Sequence, residues 1–372
     1  MPTQTEKPKR PRKTATKPTA TSTAKKTAGA AKAAPKTAPK TASRTKPKTA
    51  PKSKAAPKTR PVAKAKPHAV RIGTRGSPLA VAQAEEFAAL LEKVSGGAIA
   101  CTLHKFTTTG DKILDKPLQE AGGKGLFTKE LDRAQKAGEI DVGVHSLKDV
   151  TTVLPRFLKL TTYLPREDPR DVLIGAATKI ADLPEGAVIG SSSLRRRSQI
   201  RLQRPDLKVV DFRGNVQTRL KKLADGVADA TLLACAGLNR LGRTDLTGGA
   251  VPIEDMLPAG GQGIVAATLR TDAPDWLNAA CAALDDMPAR LAGTAERAFL
   301  RRLDGSCRTP IAAHFRLTEE GAEMFGEVLA EDGSKRWRAH GVLERMPSEK
   351  DAAELGLFVA EDVAAQRAQD PE

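Results

Sequence analysis

Several patterns that would mark a function class are missing from this chain of 372 residues. Its four cysteines lie far apart without a CxxC pair, which argues against a disulfide framework or a zinc knuckle. No apolar run approaches the roughly 18 residues that span a bilayer, so no membrane-spanning segment is predicted. There is no GxGxxG motif and no P-loop, so nucleotide-dependent chemistry has no support.

Acidic residues are almost absent from the first part of the chain. Residues 1–67 contain 20 Lys and Arg but a single acid, Glu6, whereas the other 305 residues contain 41 basic and 43 acidic side chains. The pI of 9.8 is therefore a property of a basic tail and not of the globular body that follows.

The tail consists mainly of Lys, Ala, Thr and Pro, holds 11 of the 25 prolines and has no aromatic residue. Such a composition predicts disorder, because it offers too little apolar surface to offset chain entropy. Its charge, similar to that of linker-histone tails, indicates binding to nucleic acid or another polyanion through counterion release. A solvated extension without a partner is the open alternative. With no apolar stretch typical of a secretory signal, we expect a cytoplasmic location.

The body alternates short strands with capped helices, which predicts an α/β fold. Two stretches repeat a pattern: Gly138-x-x-Asp141 and Gly226-x-x-Asp229 each precede an apolar strand. Strands are expected over 70–74, 100–107, 140–144, 188–191, 208–212 and 228–233, with helices from Ser77 to about Val94 and from Phe127 to Gly138. Residues 110–125 are expected to form a mobile loop.

Two proline- and glycine-rich joins, near 164–169 and 258–263, predict two chain crossings and hence two α/β lobes around a hinge, with a ligand in the cleft. We expect domain 1 over 68–164 and 264–284, domain 2 over 168–259, and a small α+β domain 3 over 287–372. Paired strands around Asp332-Gly333 and a helix over 351–366 would build domain 3.

Arginine is concentrated where predicted strands end. Ligands of open α/β sheets lie at the carboxyl ends of the strands, and helix N-termini and Arg forks both bind anions. The sequence therefore predicts a cleft for a polyanionic small molecule, a polycarboxylate or a phosphate. An ordinary solvated helix face is the alternative for the run at 195–197. The arginines in question are Arg75, Arg195, Arg196, Arg197, Arg213, Arg219 and Arg240.

Two further residues could carry chemistry. Asp149 follows an apolar strand beside Lys148, and a carboxylate near cations stays ionised and can stabilise a cationic intermediate or move a proton. A strand-end ion pair is the alternative. Cys307 is the one cysteine predicted in a loop, close to several arginines that favour thiolate. His145 has no partner at metal-binding spacing, so we interpret it as structural and predict no metal.

Segments across 70–360 together resemble the porphobilinogen deaminase (hydroxymethylbilane synthase) family. No single segment is specific, but their order along the chain is. They are Arg71-Ile72-Gly73-Thr74-Arg75-Gly76-Ser77-Pro78, Gly122-Gly123-Lys124-Gly125-Leu126-Phe127, His145-Ser146-Leu147-Lys148-Asp149, Arg166-Glu167-Asp168-Pro169-Arg170-Asp171, Ser192-Ser193-Leu194-Arg195-Arg196, Arg213-Gly214-Asn215-Val216, Gly237-Leu238-Asn239-Arg240, Gly261-Gln262-Gly263 and the Cys307 loop.

The resemblance implies two domains like those of periplasmic solute-binding proteins (type II), a third small domain, and a dipyrromethane cofactor attached through a thioether to Cys307. Four porphobilinogen molecules would be joined head to tail, each losing ammonia and leaving a cationic azafulvene, before water releases the linear tetrapyrrole hydroxymethylbilane. Six pyrrole rings would bring twelve carboxylates, which accounts for the arginines. A monomer is expected.

The resemblance also implies roles for individual residues. Asp149 would be catalytic, and Phe127 would pack on a pyrrole ring while Gln262 lies beside the hinge. The other expected roles fall into two groups. Cofactor-binding residues are Cys307, Lys148, Ser193, Arg195, Arg196 and Arg219. Residues for porphobilinogen and the growing oligopyrrole are Arg75, Ser77, Phe127, Arg213, Arg240 and Gln262.

Ser191, Ser306, Arg308 and Thr309 depart from the family pattern, and the tail lies outside it. A non-catalytic binding protein for a polycarboxylate stays open as an alternative, because such a protein needs neither Asp149 nor the thiol of Cys307.

Overall fold

The computed structural model describes residues 66–113, 125–305 and 309–370, all within the unit Ala63–Glu372. The predicted disorder of residues 1–67 therefore falls almost wholly outside the described residues. The strands are β1 (His68–Arg75), β2 (Ile99–Phe106), β3 (Val142–Ser146), β4 (Leu158–Tyr163), β5 (Asp171–Gly175), β6 (Val188–Gly190), β7 (Lys208–Val210), β8 (Ala230–Ala234), β9 (Val265–Arg270), β10 (Ile311–Leu317), β11 (Ala322–Leu329) and β12 (Arg336–Leu343). The α-helices are α1 (Pro78–Val94), α2 (Thr109–Lys112), α3 (Lys129–Ala137), α4 (Leu194–Gln203), α5 (Val216–Ala224), α6 (Cys235–Arg240), α7 (Asp275–Ala282), α8 (Met287–Arg302) and α9 (Glu349–Gln369).

The first two sheets repeat one topology. The first has the order β2-β1-β3-β9-β4, with β1 parallel to β2 and β3, and with β9 antiparallel to both of its neighbours. The second has the order β5-β8-β6-β7, with β6 parallel to β7 and β8, and with β5 antiparallel to β8. Strand β5 is the first strand after the chain leaves the first sheet for the second, and β9 is the first strand after it returns. The chain therefore passes twice between the two sheets, which confirms the two predicted crossings.

The repeated glycine and aspartate have the same task in both sheets. Gly138 and Gly226 adopt φ of 70° and 74°, a left-handed conformation that glycine takes without steric cost. Three residues later, the Asp141 carboxylate accepts the backbone N–H of Arg71 at 2.8 Å, and the Asp229 carboxylate accepts that of Val188 at 2.7 Å. Each aspartate thus joins the start of one parallel strand to its neighbour.

Helix caps follow the sequence signals closely. The hydroxyl of Ser77 caps α1 with Pro78 at its first position, as predicted, and Ser193 caps α4. Helix α3 ends at Gly138 but begins two residues later than expected, and β3 is displaced by two residues toward Ser146. The expected loop over 110–125 is wrong at its start, because Thr109–Lys112 forms a short helix with a capping box between Thr108 and Asp111. Residues 114–124 lie outside the described residues.

The third sheet, β10-β11-β12, is antiparallel and packs with α8 and α9 around Phe299, Phe315 and Trp337. The hairpin around Gly333 and the last helix confirm the predicted α+β C-terminal part. No helix within the described ranges is long and apolar enough to cross a membrane.

A buried carboxylate joins this part to both crossings. Glu296 of α8 accepts Arg166 Nη1 at 2.6 Å from the first crossing and the N–H of Gly261 at 2.5 Å from the second. It also accepts the N–H of Phe315 in β10 at 2.8 Å. Because Glu296 is fully buried, its carboxyl oxygens are bonded by these protein donors and not by water.

Candidate active site

Polar side chains gather where parallel strands end, at the edge of the sheets where ligands of α/β proteins bind. Arg75 is the last residue of β1, and Leu147–Asp149 form a single 3-10 turn directly after β3. Ser193 follows β6 at the start of α4, and Arg213 follows β7 just before α5. The prediction that the arginines and Asp149 come from strand ends is confirmed for these positions.

Asp149 and Arg75 face each other at the end of the first sheet. Arg75 Nη1 lies 3.4 Å from Asp149 Oδ2, and the guanidinium stacks 4.3 Å above the ring of Phe127. The two charged side chains and Phe127 line a small cleft together with Gln83, His145 and others. The cleft thus offers an aromatic face, a carboxylate and a guanidinium within one space.

Lys148 reaches the second crossing. Its Nζ donates to Gln262 Oε1 at 3.1 Å, and Gln262 Nε2 donates to the carbonyl of Pro169 at 2.7 Å and to Asp171 Oδ1 at 2.8 Å. Removal from water lowers the pKa of Lys148 to about 8, which the nearby Asp149 opposes. Gln262 therefore lies at the crossing, as expected, and links Lys148 to the second sheet.

Asp171 is a buried carboxylate that the sequence-based prediction missed. Its oxygens accept Arg195 Nη2 and Arg196 Nη2, both at 2.7 Å, and the two arginines hold the pKa of this carboxyl well below its usual range. Arg195 also donates to the carbonyl of Leu257 at 2.7 Å, and Arg196 to that of Leu232 at 2.8 Å. A buried pair of arginines requires such a counter-ion, so two adjacent Arg at a strand end could have signalled an acid nearby.

Arg219 of α5 completes the group of cations. Its Nε donates to the carbonyl of Gly214 at 2.9 Å. Burial lowers its pKa to about 10, with additional contributions from Arg196 and Arg213, while Asp149 acts in the opposite direction. Arg219 therefore lies close enough to Arg196 and Arg213, which follow strands of the second sheet, and to Asp149, which follows a strand of the first, for their charges to affect its pKa.

The site therefore carries more positive than negative charge. Arg196 Nε is buried without a hydrogen-bond partner, and Lys148 donates to a neutral amide. An anionic ligand would relieve both, because carboxylates form charge-assisted hydrogen bonds with such donors. The cations are Arg75, Lys148, Arg195, Arg196, Arg213 and Arg219, and the acids near them are Asp111, Asp149, Asp171, Asp211 and Glu327.

Three expected site residues have local structural partners. Ser77 and Ser193 accept backbone N–H groups as helix caps at 3.3 and 3.5 Å. Arg240 donates to Glu86 Oε2 and to the carbonyl of Gly263, both at 3.1 Å, and so lies between α1, α6 and the second crossing. His145 is buried with a pKa lowered to about 4 by desolvation, and its Nε2 is 3.3 Å from Thr268 Oγ1, in keeping with a structural role.

Cys307 lies outside the described residues, as do Ser306 and Arg308. Along the chain, α8 precedes these residues and β10 follows them. The other three cysteines are free, and burial raises the pKa of each, to about 12 for Cys101, about 11 for Cys235 and about 12 for Cys281. These thiols are protonated near neutral pH and inert as nucleophiles.

Among solved structures, the chain is similar to a TRAP periplasmic solute binding protein from Desulfovibrio salexigens, with a TM-score of 0.39 and 12% identity over 82% of this chain and 97% of that one. It is also similar to the periplasmic aliphatic sulphonate binding protein SsuA from Escherichia coli, with a TM-score of 0.33 and 16% identity over 64% of this chain and 71% of that one. Scores this low carry no argument about the site.

Sequence comparisons are more specific. A family model for the porphobilinogen deaminase dipyromethane cofactor binding domain matches residues 70–278, and one for the C-terminal domain of that family matches residues 291–365. Porphobilinogen deaminase of Paracoccus denitrificans is 51% identical over 79% of this chain and 93% of its own length. The chloroplastic enzyme of Pisum sativum is 52% identical over 72% of this chain and 73% of its own. The chain belongs to the porphobilinogen deaminase family.

Proposed function

We propose that this protein is a transferase that joins four porphobilinogen molecules head to tail and, after hydrolysis, releases hydroxymethylbilane. The observation that carries the proposal is the excess of buried positive charge around Asp149. Each porphobilinogen has an acetate and a propionate, so every addition brings two carboxylates into the cleft. Cations at strand ends and an ionised acid among them are what such a substrate requires.

The residues present fit the family's dipyrromethane cofactor. The unpartnered Nε of Arg196 and the Nζ of Lys148 are donors without an anionic partner, and the cofactor has four carboxylates to offer. We propose that Lys148, Ser193, Arg195, Arg196 and Arg219 bind those carboxylates and that Cys307 holds the group through a thioether. When bound, the cofactor supplies the nucleophilic pyrrole carbon on which the chain grows.

Asp149 is proposed to act on the incoming substrate. As the exocyclic C–N bond breaks, the nitrogen leaves with the electron pair as ammonia, and positive charge develops on the pyrrole. A carboxylate that accepts the pyrrole N–H stabilises this charge, and Arg75 at 3.4 Å keeps the carboxylate oriented. The same carboxylate would take up the proton that is released when the new C–C bond forms and would pass it to the departing ammonia or to solvent.

The carboxylates of the substrate are proposed to bind on the side of Asp149 opposite to the proposed cofactor site. Arg75 and Arg213 would bind them directly, and Arg240 and Ser77 would do so along α1 and α6. Phe127 offers its ring for packing against a pyrrole. Gln262, bonded to Lys148, Pro169 and Asp171, is proposed to keep the two lobes in register at the hinge.

The intact mass of the purified protein, compared with Cys307→Ala, tests the covalent cofactor. A mass increase of two pyrrole units, lost in the variant, is expected. If the protein has the bare polypeptide mass and gains none on addition of porphobilinogen, the attachment is refuted.

Turnover separates the enzyme from a binding protein for polycarboxylates. Asp149→Ala should lower kcat on the order of 10²–10³-fold while leaving the fold intact, because one preorganised charge is lost. Asp272→Asn, which removes an exposed acid paired with Arg270, is the matched control and should leave kcat unchanged. Near-normal turnover by Asp149→Ala would contradict the mechanism.

A second partner is proposed for the tail. Its 20 basic residues against one acid should bind nucleic acid or another polyanion through counterion release. Binding to a DNA duplex should weaken steeply with added salt and disappear when residues 1–67 are deleted, with kcat unchanged. Equal binding by the truncated protein would refute this role.

The remaining assignments are proposals that rest on the resemblance. Domain 1 is proposed over 68–164 and 264–284, domain 2 over 168–259 and domain 3 over 287–372, each around one of the three sheets. A disordered tail, a monomer and a cytoplasmic location belong to the same proposal. Size-exclusion chromatography with light scattering measures the oligomeric state directly.

A further inference from the structure

The guanidinium of Arg75 is fully engaged by side chains of this protein. Its Nε lies 3.2 Å from Asp111 Oδ2, and its Nη2 is bonded to Asp111 Oδ1, so the forked face meets one carboxylate with both donors. Nη1 faces Asp149, and the ring of Phe127 covers one flat side. This is the two-pronged geometry with which Arg binds any carboxylate, including that of a ligand.

Asp111 is itself held in place as an anion. Its Oδ2 accepts the hydroxyl of Thr108 at 2.7 Å and the N–H of Thr108 at 3.2 Å, the capping box of α2. Together with Arg75, these donors lower the pKa of Asp111. Both Asp111 and Arg75 keep about a quarter of their side-chain surface in solvent, at 24% and 22%, so a ligand can reach the pair.

The same segment contacts a second arginine of the site. Arg213, from the second sheet, donates through Nη2 to the carbonyls of Ile113 at 2.9 Å and Gly110 at 3.3 Å. These two acceptors are neutral carbonyls, although Asp211 adds a negative charge near Arg213, and a guanidinium binds a carboxylate more strongly than a carbonyl. The segment Thr108–Ile113 therefore meets both of the arginines proposed to bind substrate carboxylates directly.

We propose that Asp111 is an internal carboxylate that occupies the forked face of Arg75 until a carboxylate of the substrate displaces it. The inference rests on the proposed function and identifies Asp111 as a residue that sets substrate affinity and specificity. A ligand with one carboxylate only exchanges the ion pair between Asp111 and Arg75 for another. It gains little binding free energy, because Asp111 is held beside Arg75 and competes for the same donors. A ligand with two carboxylates also replaces the carbonyls on Arg213, so the contact favours dicarboxylates such as a pyrrole with acetate and propionate arms.

Steady-state kinetics with porphobilinogen test the competition. Asp111→Asn keeps the size of the side chain but removes its charge, so KM should fall about 5- to 20-fold, with a much smaller change in kcat. Thr108→Val, which removes one hydrogen bond that holds Asp111, should shift KM in the same direction by a smaller factor. Asp206→Asn, at another forked pair with Arg204, is the matched control and should leave KM unchanged.

An unchanged or higher KM in both Asp111→Asn and Thr108→Val, with melting temperatures like that of the parent, would overturn the proposal. The outcome is distinct from failure of the proposed function, in which the parent protein itself would consume no porphobilinogen.

Labelling of Arg75 gives a readout that does not need turnover. An arginine-selective dicarbonyl reagent, followed by peptide mass mapping, should modify Arg75 faster in Asp111→Asn than in the parent, and porphobilinogen should protect it in both. Arg204 serves as the internal reference and should react equally in the two proteins. Equal reactivity of Arg75 in parent and variant would show that Asp111 does not occupy this face.

Discussion

Asp171 is the side chain that holds Arg195 and Arg196 in place within the cationic site. It is fully buried and accepts Arg195, Arg196 and Gln262 at 2.7, 2.7 and 2.8 Å. Removing one partner of a buried ion pair leaves an uncompensated charge and costs about 3–5 kcal/mol. We expect Asp171→Ala to lower the free energy of unfolding by about this amount, as measured by urea denaturation.

The same residue makes acid stability predictable. Its pKa in the folded protein is depressed, so it contributes stability above the unfolded aspartate pKa of about 4, and this contribution is lost as pH falls further. In Asp171→Asn the loss of stability between about pH 4 and pH 2 should be shallower than in the parent. Asp225→Asn, at an exposed pair with Lys221, is the control and should retain the parental slope. An identical slope in Asp171→Asn would contradict the ion pair.

Lys148 shows the opposite relation between stability and function. Desolvation lowers its pKa to about 8, so its charge is held at a cost in the cofactor-free protein. Lys148→Met should raise the melting temperature of the cofactor-free protein by about 2 °C while lowering turnover, since polar groups at functional sites are commonly kept at the expense of stability. A lower melting temperature together with normal turnover would contradict a role in binding carboxylates.

Sequence reasoning located the cations of the site better than their counter-ions. Arg75, Arg195 and Arg213 follow strands that can be recognised from local pattern, so their side of the sheet was predictable. Asp171 and Asp111 were missed because a buried carboxylate is identified by what surrounds it in space. Neither residue has a local pattern that distinguishes it from an ordinary strand or turn acid.

At the scale of elements, the hairpin between β11 and β12 holds the helix that carries Arg195 and Arg196. The hydroxyl of Ser198 and Nη1 of Arg201 donate to the carbonyl of Glu331 at 3.2 and 3.1 Å. Gly333, with φ of 80°, lies so close to α4 that a Cβ would stand 2.6 Å from that of Arg201 and 2.8 Å from the N of Leu202. The C-terminal sheet therefore fixes α4 through a contact that leaves no room for a side chain.

Gly333→Ala should lower the free energy of unfolding by more than the strain of its left-handed backbone conformation alone. Gly226 has φ of 74° with nothing within 4 Å, so Gly226→Ala pays the left-handed backbone strain of about 1–2 kcal/mol and serves as the control. Overpacking adds typically 1–3 kcal/mol. Thermal melts of both variants measure the difference, and equal losses would show that the hairpin can move away from α4 at no cost.

Elements were predictable where one local signal decides them. The caps Ser77 and Ser193, the glycine after α3 and the hairpin at Gly333 all follow from side-chain or backbone preferences within a few residues. Helix α2 was not predictable, because a four-residue helix has little propensity of its own and here depends on Asp111 bonding to both Thr108 and Arg75.

At the scale of the whole molecule, Glu296 bonds both crossings to the third sheet. It binds donors from both crossings and from β10 at 2.5–2.8 Å while fully buried. Glu296→Gln removes the charge that balances Arg166, and we expect a loss of about 3–5 kcal/mol in urea denaturation. Glu361→Gln, at an exposed pair with Arg302, should cost at most about 1 kcal/mol. Comparable losses in the two variants would contradict the connecting role of Glu296.

The position of β9 also determines when the protein can fold during synthesis. The second sheet is complete once Ala234 has left the ribosome, whereas β9 lies between β3 and β4 and ends at Arg270. Until then β3 and β4 have no shared neighbour, so the edge of β3 and the whole of β4 lack the partner strand that they have in the complete sheet. We therefore expect the second sheet to be able to form before the first, although the first begins the chain. Translation that stalls between these two points leaves a half-built protein with strand edges available for aggregation.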